Sequence, residues 1–287
     1  MELALPITVY WDLAPDTPLV GPLLRLCDEI LACRPLMLQL YDPSPAPSAG
    51  ARAILERFRG APVAVSLTLP SSCAPSLAGT SAEELGVKEL LLAGDCLESL
   101  MGIECLPEAG LSFSVNHDNW RQLPEVVAFC RERGMNRLVL PMQRLYNDEK
   151  PFLLDRSQQR ILESSLAEIG GASGLQLTIH DPFLWRAFNP GISFPQGGCQ
   201  AANTMIAISP DRGVYPCPTL PVRLGEIGTA PLKEIITSPL KKDLRRRIVQ
   251  SPAGCGDCLE IAVCRGGCRG RSLVMHGSFE GIDDACR

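Results

Sequence analysis

Histidine is scarce, with three residues in 287. None belongs to an H-E-x-x-H pair, and neither G-x-S-x-G nor G-x-x-x-x-G-K-[ST] occurs, so metalloprotease, serine-hydrolase and nucleotide-phosphate chemistry lack their residue sets. Aromatic residues make up 5% of the chain and the formal net charge is −5, which removes the general case for nucleic-acid binding. The local exception is Lys241-Lys242-Asp243-Leu244-Arg245-Arg246-Arg247, read as a solvated helix face or as a docking strip for an acidic partner. No run of about 18 uncharged apolar residues is present. Met1-Glu2-Leu3-Ala4-Leu5-Pro6 has no basic start ahead of an apolar stretch. The expectation is a soluble, cytoplasmic protein in a thiol-reducing setting, where clustered cysteines bind metal more often than they pair. A further absence concerns the first 198 residues, in which no three cysteines fall close enough together to hold a cluster of their own.

Cysteine itself is abundant, with thirteen residues. Six are scattered, Cys27, Cys33, Cys73, Cys96, Cys105 and Cys130, and are expected as buried packing residues. The other seven, Cys199, Cys217, Cys255, Cys258, Cys264, Cys268 and Cys286, contain the run C-x2-C-x5-C-x3-C. From Ser251 onward large apolar side chains are few, so this segment needs a staple, and thiolate-bound metal can contribute roughly 10 kcal/mol or more of folding free energy. Zinc in a four-thiolate site is the plainer reading, but zinc ribbons usually show two C-x2-C pairs, whereas seven cysteines suit two iron–sulfur clusters. Gly254, Gly256, Gly266 and Gly267 allow close backbone approach to such a centre.

Upstream the pattern is regular. Short apolar runs at Ile7–Trp11, Leu36–Tyr41, Val63–Leu69, Val87–Leu92, Leu111–Val115, Arg137–Leu140 and Leu175–Ile179 alternate with helical stripes. The first helix is expected to open at Thr17-Pro18 and to bury Val20, Leu23, Leu24, Cys27, Ile30 and Leu31. Further helices are expected over Leu123–Cys130, ending at Gly134, and from Asp155 through Leu162, Leu166 and Ile169 to Gly170-Gly171. Near-continuous apolar strands separated by helices predict a parallel sheet covered on both faces, an α/β fold of the open (β/α)6 partial-barrel type. The strand ends would bring Trp11-Asp12, Tyr41-Asp42, Asn116-His117-Asp118, Pro141–Arg144 and His180-Asp181 to one mouth. The rhythm fades after Asn189-Pro190-Gly191, which predicts two domains, 1–185 and 186–287. In the second, Met205–Ile208 and Val214-Tyr215 are expected to form a hairpin bringing Cys199 and Cys217 together, followed by short helices over Leu232–Ile236 and Leu240–Val249.

Residues 199 to 286 resemble the SPASM domain that follows the catalytic barrel in radical SAM enzymes maturing peptides. The resemblance implies that Cys199, Cys217 and Cys268 hold a first auxiliary cluster, and that Cys255, Cys258, Cys264 and Cys286 hold a second, 4Fe-4S in kind. The family's Gly-x4-Cys is shifted here, since Arg212 stands in the glycine's place and Gly213 follows. The barrel portion resembles the same family through Ile7–Leu13, but Ala14-Pro15-Asp16-Thr17-Pro18-Leu19-Val20-Gly21 replaces the C-x3-C-x2-C loop, and Leu38–Pro43 carries no Gly-Gly-Glu turn. Through Leu138–Leu145 and His180–Trp185 the chain also resembles the SPASM protein of the GeoRSP peptide-modification system. That resemblance implies an accessory protein that does not cleave S-adenosylmethionine. It would serve in electron relay, peptide positioning or partner stabilisation beside an intact radical SAM/SPASM enzyme, a PqqD-like protein and a precursor peptide. Two alternatives stand. One is an enzyme using an open cluster iron as Lewis acid, with His180 or Asp181 as base; the other is an interaction module pinned by zinc or clusters.

Overall fold

The computed structural model describes residues 3–18, 20–103, 108–147, 150–195 and 197–286. Seven strands, β1 (Thr8–Asp12), β2 (Met37–Tyr41), β3 (Ala64–Pro70), β4 (Glu89–Gly94), β5 (Ala109–Phe113), β6 (Arg137–Leu140) and β7 (Gln176–Ile179), lie side by side in chain order, all parallel. Their connections contain α1 (Gly21–Cys33), α2 (Ala49–Phe58), α3 (Ala82–Leu85), α4 (Leu97–Leu100), α5 (Leu123–Glu132) and α6 (Arg156–Glu168), and α7 (Pro182–Phe188) follows β7. The protein is therefore an α/β fold on a parallel sheet, with strand positions within two residues of those read from the sequence. Every residue of β5 is buried, the result expected when helices cover both faces. Leu38, Leu67, Leu92, Leu111 and Leu138 are fully buried, each stabilising the fold by about 1.5–3 kcal/mol relative to exposure.

After α7 the chain returns to the sheet at its other edge. Strand β8 (Met205–Ile208) pairs parallel to β1, and β9 (Gly213–Tyr215) and β10 (Gly225–Glu226) extend it antiparallel, giving the order β10-β9-β8-β1-β2-β3-β4-β5-β6-β7. Beyond the sheet come α8 (Leu232–Ile236), α9 (Pro239–Ile248), α10 (Ile261–Cys264) and α11 (Arg269–His276).

Local sequence explains most helix ends. Asp155 accepts from the Gln158 backbone N–H while the Gln158 side chain accepts from the Asp155 N–H, a reciprocal cap that starts α6. Helix α1 differs from expectation. It begins at Gly21, with Pro22 rather than Pro18 in its first turn, because the Thr17 hydroxyl donates to the Ala14 carbonyl instead of capping. The buried stripe is accordingly Leu23, Leu26, Cys27, Ile30 and Cys33, while Val20 and Leu24 are exposed. Of the scattered cysteines, Cys27, Cys33, Cys73 and Cys130 are buried and Cys96 is half-buried. Cys105 lies outside the described residues.

The basic run also differs. In α9, Lys241 and Arg245 stand one turn apart on the inner face and are 5% and 7% exposed. Lys241 donates to the Leu3 carbonyl, and Arg245 donates to the carbonyls of Cys199 (2.6 Å) and Ala201 (3.1 Å). Only the other face of the run is solvated.

Candidate metal centre

The β8–β9 hairpin sets the first group of thiols. Ala207 lies opposite Tyr215, and Ala202 donates its N–H to the Pro216 carbonyl, so the chain entering β8 and the chain leaving β9 run together. Cys199 precedes the first and Cys217 follows the second. Cys268, just ahead of α11, joins them because of Gly270. A Cβ at that position would collide with the Thr219 carbonyl, so the glycine lets α11 press directly on the Cys217–Leu220 loop. Cys199, Cys217 and Cys268 all line one cavity of about 290 Å³, shared with Met142, His180, Trp185 and Cys264. Burial first, and then Cys199 and Cys268, push the Cys217 thiol well up; burial is also the main cause that takes Cys268 to about 12. Three thiols lining one cavity with raised pKa values keep their protons until a cation displaces them.

The second group forms on the short turns around α10. Cys255 is buried, Cys258 is exposed, and Cys264 and Cys286 are half-buried. Burial raises the Cys255 thiol, followed by Cys286 and Cys258; burial also raises Cys264, with Cys286 among the further contributors. Cys255 therefore lies within electrostatic reach of Cys258 and Cys286, and Cys264 within reach of Cys286. Among the described residues, no three His, Cys, Asp or Glu side chains converge tightly enough to hold a single metal ion.

Asp283 joins the groups and is 1% exposed. Its carboxylate accepts from the Cys268 N–H at 2.7 Å, from the Ala285 N–H at 3.2 Å and from Arg271 Nε and Nη2 at 2.6 and 2.8 Å. Arg271, itself 3% exposed, also donates to the Phe152 carbonyl and to Asp181. Asp181 in addition accepts from the N–H groups of Phe183 and Leu184 at the start of α7. This chain of contacts clasps the loop after β7 to the cysteine-bearing end. It also commits Asp181 to a cation and a helix cap, which does not suit the base role weighed for it. Gly267, with φ +71°, lies against the clasp, since a Cβ there would stand 2.6 Å from an Asp283 oxygen.

A cluster with thiolate ligands is anionic and accepts hydrogen bonds at its sulfurs. One feature of the protein fits that demand. Arg269 is 1% exposed, and among the described residues its Nε and Nη1 have no hydrogen-bond partner, although Nη2 donates to the Phe279 carbonyl. A buried guanidinium left in this way is strongly unfavourable unless an anion meets it. The acidic groups that reach it are Cys199, Cys255, Asp283 and Cys268. The donor set is all sulfur, which suits iron–sulfur or other soft metals.

The strand ends divide between structural capping and a closed mouth. Asp42 is fully buried and accepts from Ser44 and from the Ser48 N–H, which shapes the loop after β2. The Asn116 side chain accepts from the N–H groups of Asp118 and Asn119, and the His117 ring packs edge-on against Phe152 at 5.4 Å. At the mouth itself Arg144 grips both Asp12 oxygens at 2.9 Å, and the Tyr146 hydroxyl donates to the same carboxylate. Burial opposes the charge on Arg144, but Asp12 outweighs it and keeps the guanidinium firmly protonated. The Tyr146 ring stacks on Tyr215 of β9 at 5.0 Å, linking the mouth to the hairpin. Behind it lies a cavity of about 190 Å³ lined by Tyr10, Tyr41, Arg144 and His180 among others. The His180 imidazole is pushed down to about 4, by burial first and then by Arg144 and Arg137, and stands 3.5 Å from the Tyr10 hydroxyl. Sequence reasoning missed Arg245, Arg269, Arg271 and Asp283; the one signal available was their position beside cysteines or, for Arg245, on the inner helical spacing.

Residues 199–259 match the family model of SPASM, an iron–sulfur cluster-binding domain. No curated protein matches the chain. Among solved structures it is similar to Streptococcus suis SuiB, at 16% identity and TM-score 0.66, over 100% of this chain and 78% of that one. It is similar to SuiB bound to precursor peptide SuiA at 15% identity and TM-score 0.68, over 100% and 77% of the two chains. It is also similar to anSMEcpe with bound AdoMet, at 15% identity and TM-score 0.66, over 98% and 90%. At such identities the likeness establishes the fold. Among the described residues no helix is long and apolar enough to cross a membrane.

Proposed function

We propose that this chain is a cytoplasmic iron–sulfur accessory protein of a peptide-modification system, working beside a radical SAM enzyme without cleaving S-adenosylmethionine itself. Residues 1–185 form the degenerate partial barrel of this reading and residues 186–287 its cluster-bearing unit, joined through the β1–β8 pairing. Cys199, Cys217 and Cys268 hold the first cluster, and Cys255, Cys258, Cys264 and Cys286 hold the second. A 4Fe-4S cluster supplies one-electron chemistry when bound.

The protein's own residues do the rest. Arg245 fixes the Cys199 loop through its carbonyl, Gly270 lets Cys268 approach the Cys217 loop, and Asp283 orients the Cys268 backbone and the turn that ends in Cys286. The observation that carries the reading is the contrast between two thiol groups around an unmatched buried Arg269 and a barrel mouth whose Asp12, Arg144 and Tyr146 satisfy one another. Between β1 and α1 no thiol is present to bind a further cluster; the Asp16 N–H and Thr17 carbonyl instead bind the Ser44 and Gly50 segment. The apolar wall of the larger cavity, with Phe152, Trp185 and Phe194, suits a peptide side chain, and SuiB bound to precursor peptide SuiA is a peptide complex of this fold. The partners expected are an intact radical SAM/SPASM enzyme, a PqqD-like peptide-binding protein and the precursor peptide.

Copurification with a co-expressed radical SAM/SPASM enzyme tests the accessory role. A stable complex whose product yield falls when this chain is withheld supports it. Absence of any complex together with an unchanged yield refutes it.

A further inference from the structure

Arg269 is the residue whose surroundings the fold leaves least explained. Nε carries one N–H and Nη1 two, so three of the five guanidinium donors have no acceptor among the described residues in a side chain that is 1% exposed. Its position is fixed. Nη2 is held by the Phe279 carbonyl, the guanidinium lies 6.0 Å from the Phe279 ring centroid, and Gly266 approaches so closely that a Cβ there would stand 2.9 Å from Nη1. The acidic groups that reach it electrostatically belong to both cysteine sets: Cys199 and Cys268 of the first and Cys255 of the second, with Asp283. Asp283 does not absorb the free donors, because its oxygens are occupied by Arg271 and by the backbone of Cys268 and Ala285.

We propose that Arg269 is a shared positioning residue of the two cluster sites, donating Nε–H to sulfur at one and Nη1–H to sulfur at the other, so that one buried positive charge serves both. This rests on the reading that both sites hold clusters. The consequence is electrostatic. Adding one electron to either centre increases its negative charge, and a fixed cation with matched donors lowers that cost in a low-dielectric interior. A planar fork with donors on separate edges can face two anions at once, whereas the single ammonium of lysine is a point charge.

The test uses the full chain purified without oxygen, with arginine labelled with 15N at its guanidinium nitrogens only, because the Arg271 backbone N–H already donates to Cys268 Sγ, and with the centres reduced by dithionite. Electron spin-echo spectra of the reduced wild-type protein should show 15N coupling that Arg269→Lys abolishes. Redox titration should show both midpoint potentials lowered in Arg269→Met, each by at least the equivalent of a tenfold weaker electron affinity, about 59 mV, with Arg269→Lys between. Wild-type iron content with both potentials and the 15N coupling unchanged in the variants overturns the proposal for Arg269 alone. If Arg269→Met does not fold, wild-type spectra without 15N coupling overturn it equally. A wild-type chain that purifies with no iron or sulfide overturns the cluster reading beneath it.

Discussion

Arg271→Met removes the central cation of the clasp. The side chain is 3% exposed and faces Asp283, 1% exposed, through two contacts at 2.6 and 2.8 Å, with Asp181 on its other side. Methionine fills similar volume but leaves the Asp283 charge buried with only the N–H groups of Cys268 and Ala285. Breaking a buried pair from one side costs about 3–5 kcal/mol, most of it the stranded charge. With a urea slope of roughly 3 kcal/mol/M, the midpoint should fall by about 1–1.7 M. The assay is urea unfolding of protein purified without oxygen, followed by far-ultraviolet circular dichroism and iron release. The double variant Arg271→Met/Asp283→Leu removes both charges and should recover much of the loss, giving a coupling energy of about 2 kcal/mol or more. A single-variant loss below about 1 kcal/mol, or additive effects in the double variant, would refute the assignment of the clasp as the link between the loop after β7 and the cysteine-bearing end.

Other perturbations probe separate parts. Gly267→Ala places a Cβ 2.6 Å from an Asp283 oxygen at φ +71°, and should cost about 2 kcal/mol or more and lower iron retention, measured by thermal melting and iron assay. Arg212 sits at φ +65° in the hairpin turn and its ion pair with Glu226 is long, 3.9 Å, so Arg212→Gly should stabilise the protein by about 1 kcal/mol in the same melt; a destabilisation would show that its side chain matters more than its strain. His180 takes its proton near pH 4 in the folded chain and near 6.5 when unfolded. The unfolded state thus binds more protons between those values, so this contribution is complete above pH 6.5 and is lost as pH falls toward 4, by about 3 kcal/mol. His180→Gln should flatten that part of the pH–stability curve, and an unchanged slope would contradict the burial argument.

The seven parallel strands were legible because each is an apolar run bounded by Gly, Pro, Asp or Asn, and a strand buried on both faces leaves that mark whatever it packs against. The start of α1 was not, because Thr17-Pro18 reads as a helix opening and only the bond from the Thr17 hydroxyl to the Ala14 carbonyl takes it out of that role. The cysteine groups were legible from spacing and resemblance. Their supports were not. Arg245 acts on Cys199, 46 residues away, and Arg271 reaches Phe152 across 119, so the partners that turn basic residues inward are set by tertiary structure alone. In the same way the strand-end aspartates looked alike in sequence. Only the fold separates Asp12, gripped by Arg144, from Asp42, spent on its own loop.

The most direct measurement is the iron, sulfide and zinc content of protein purified without oxygen, with spectra before and after dithionite and then with S-adenosylmethionine added. The account predicts about seven or eight irons with matching sulfide, reducible, and no cleavage of S-adenosylmethionine. Zinc without sulfide, or cleavage of S-adenosylmethionine, would contradict it.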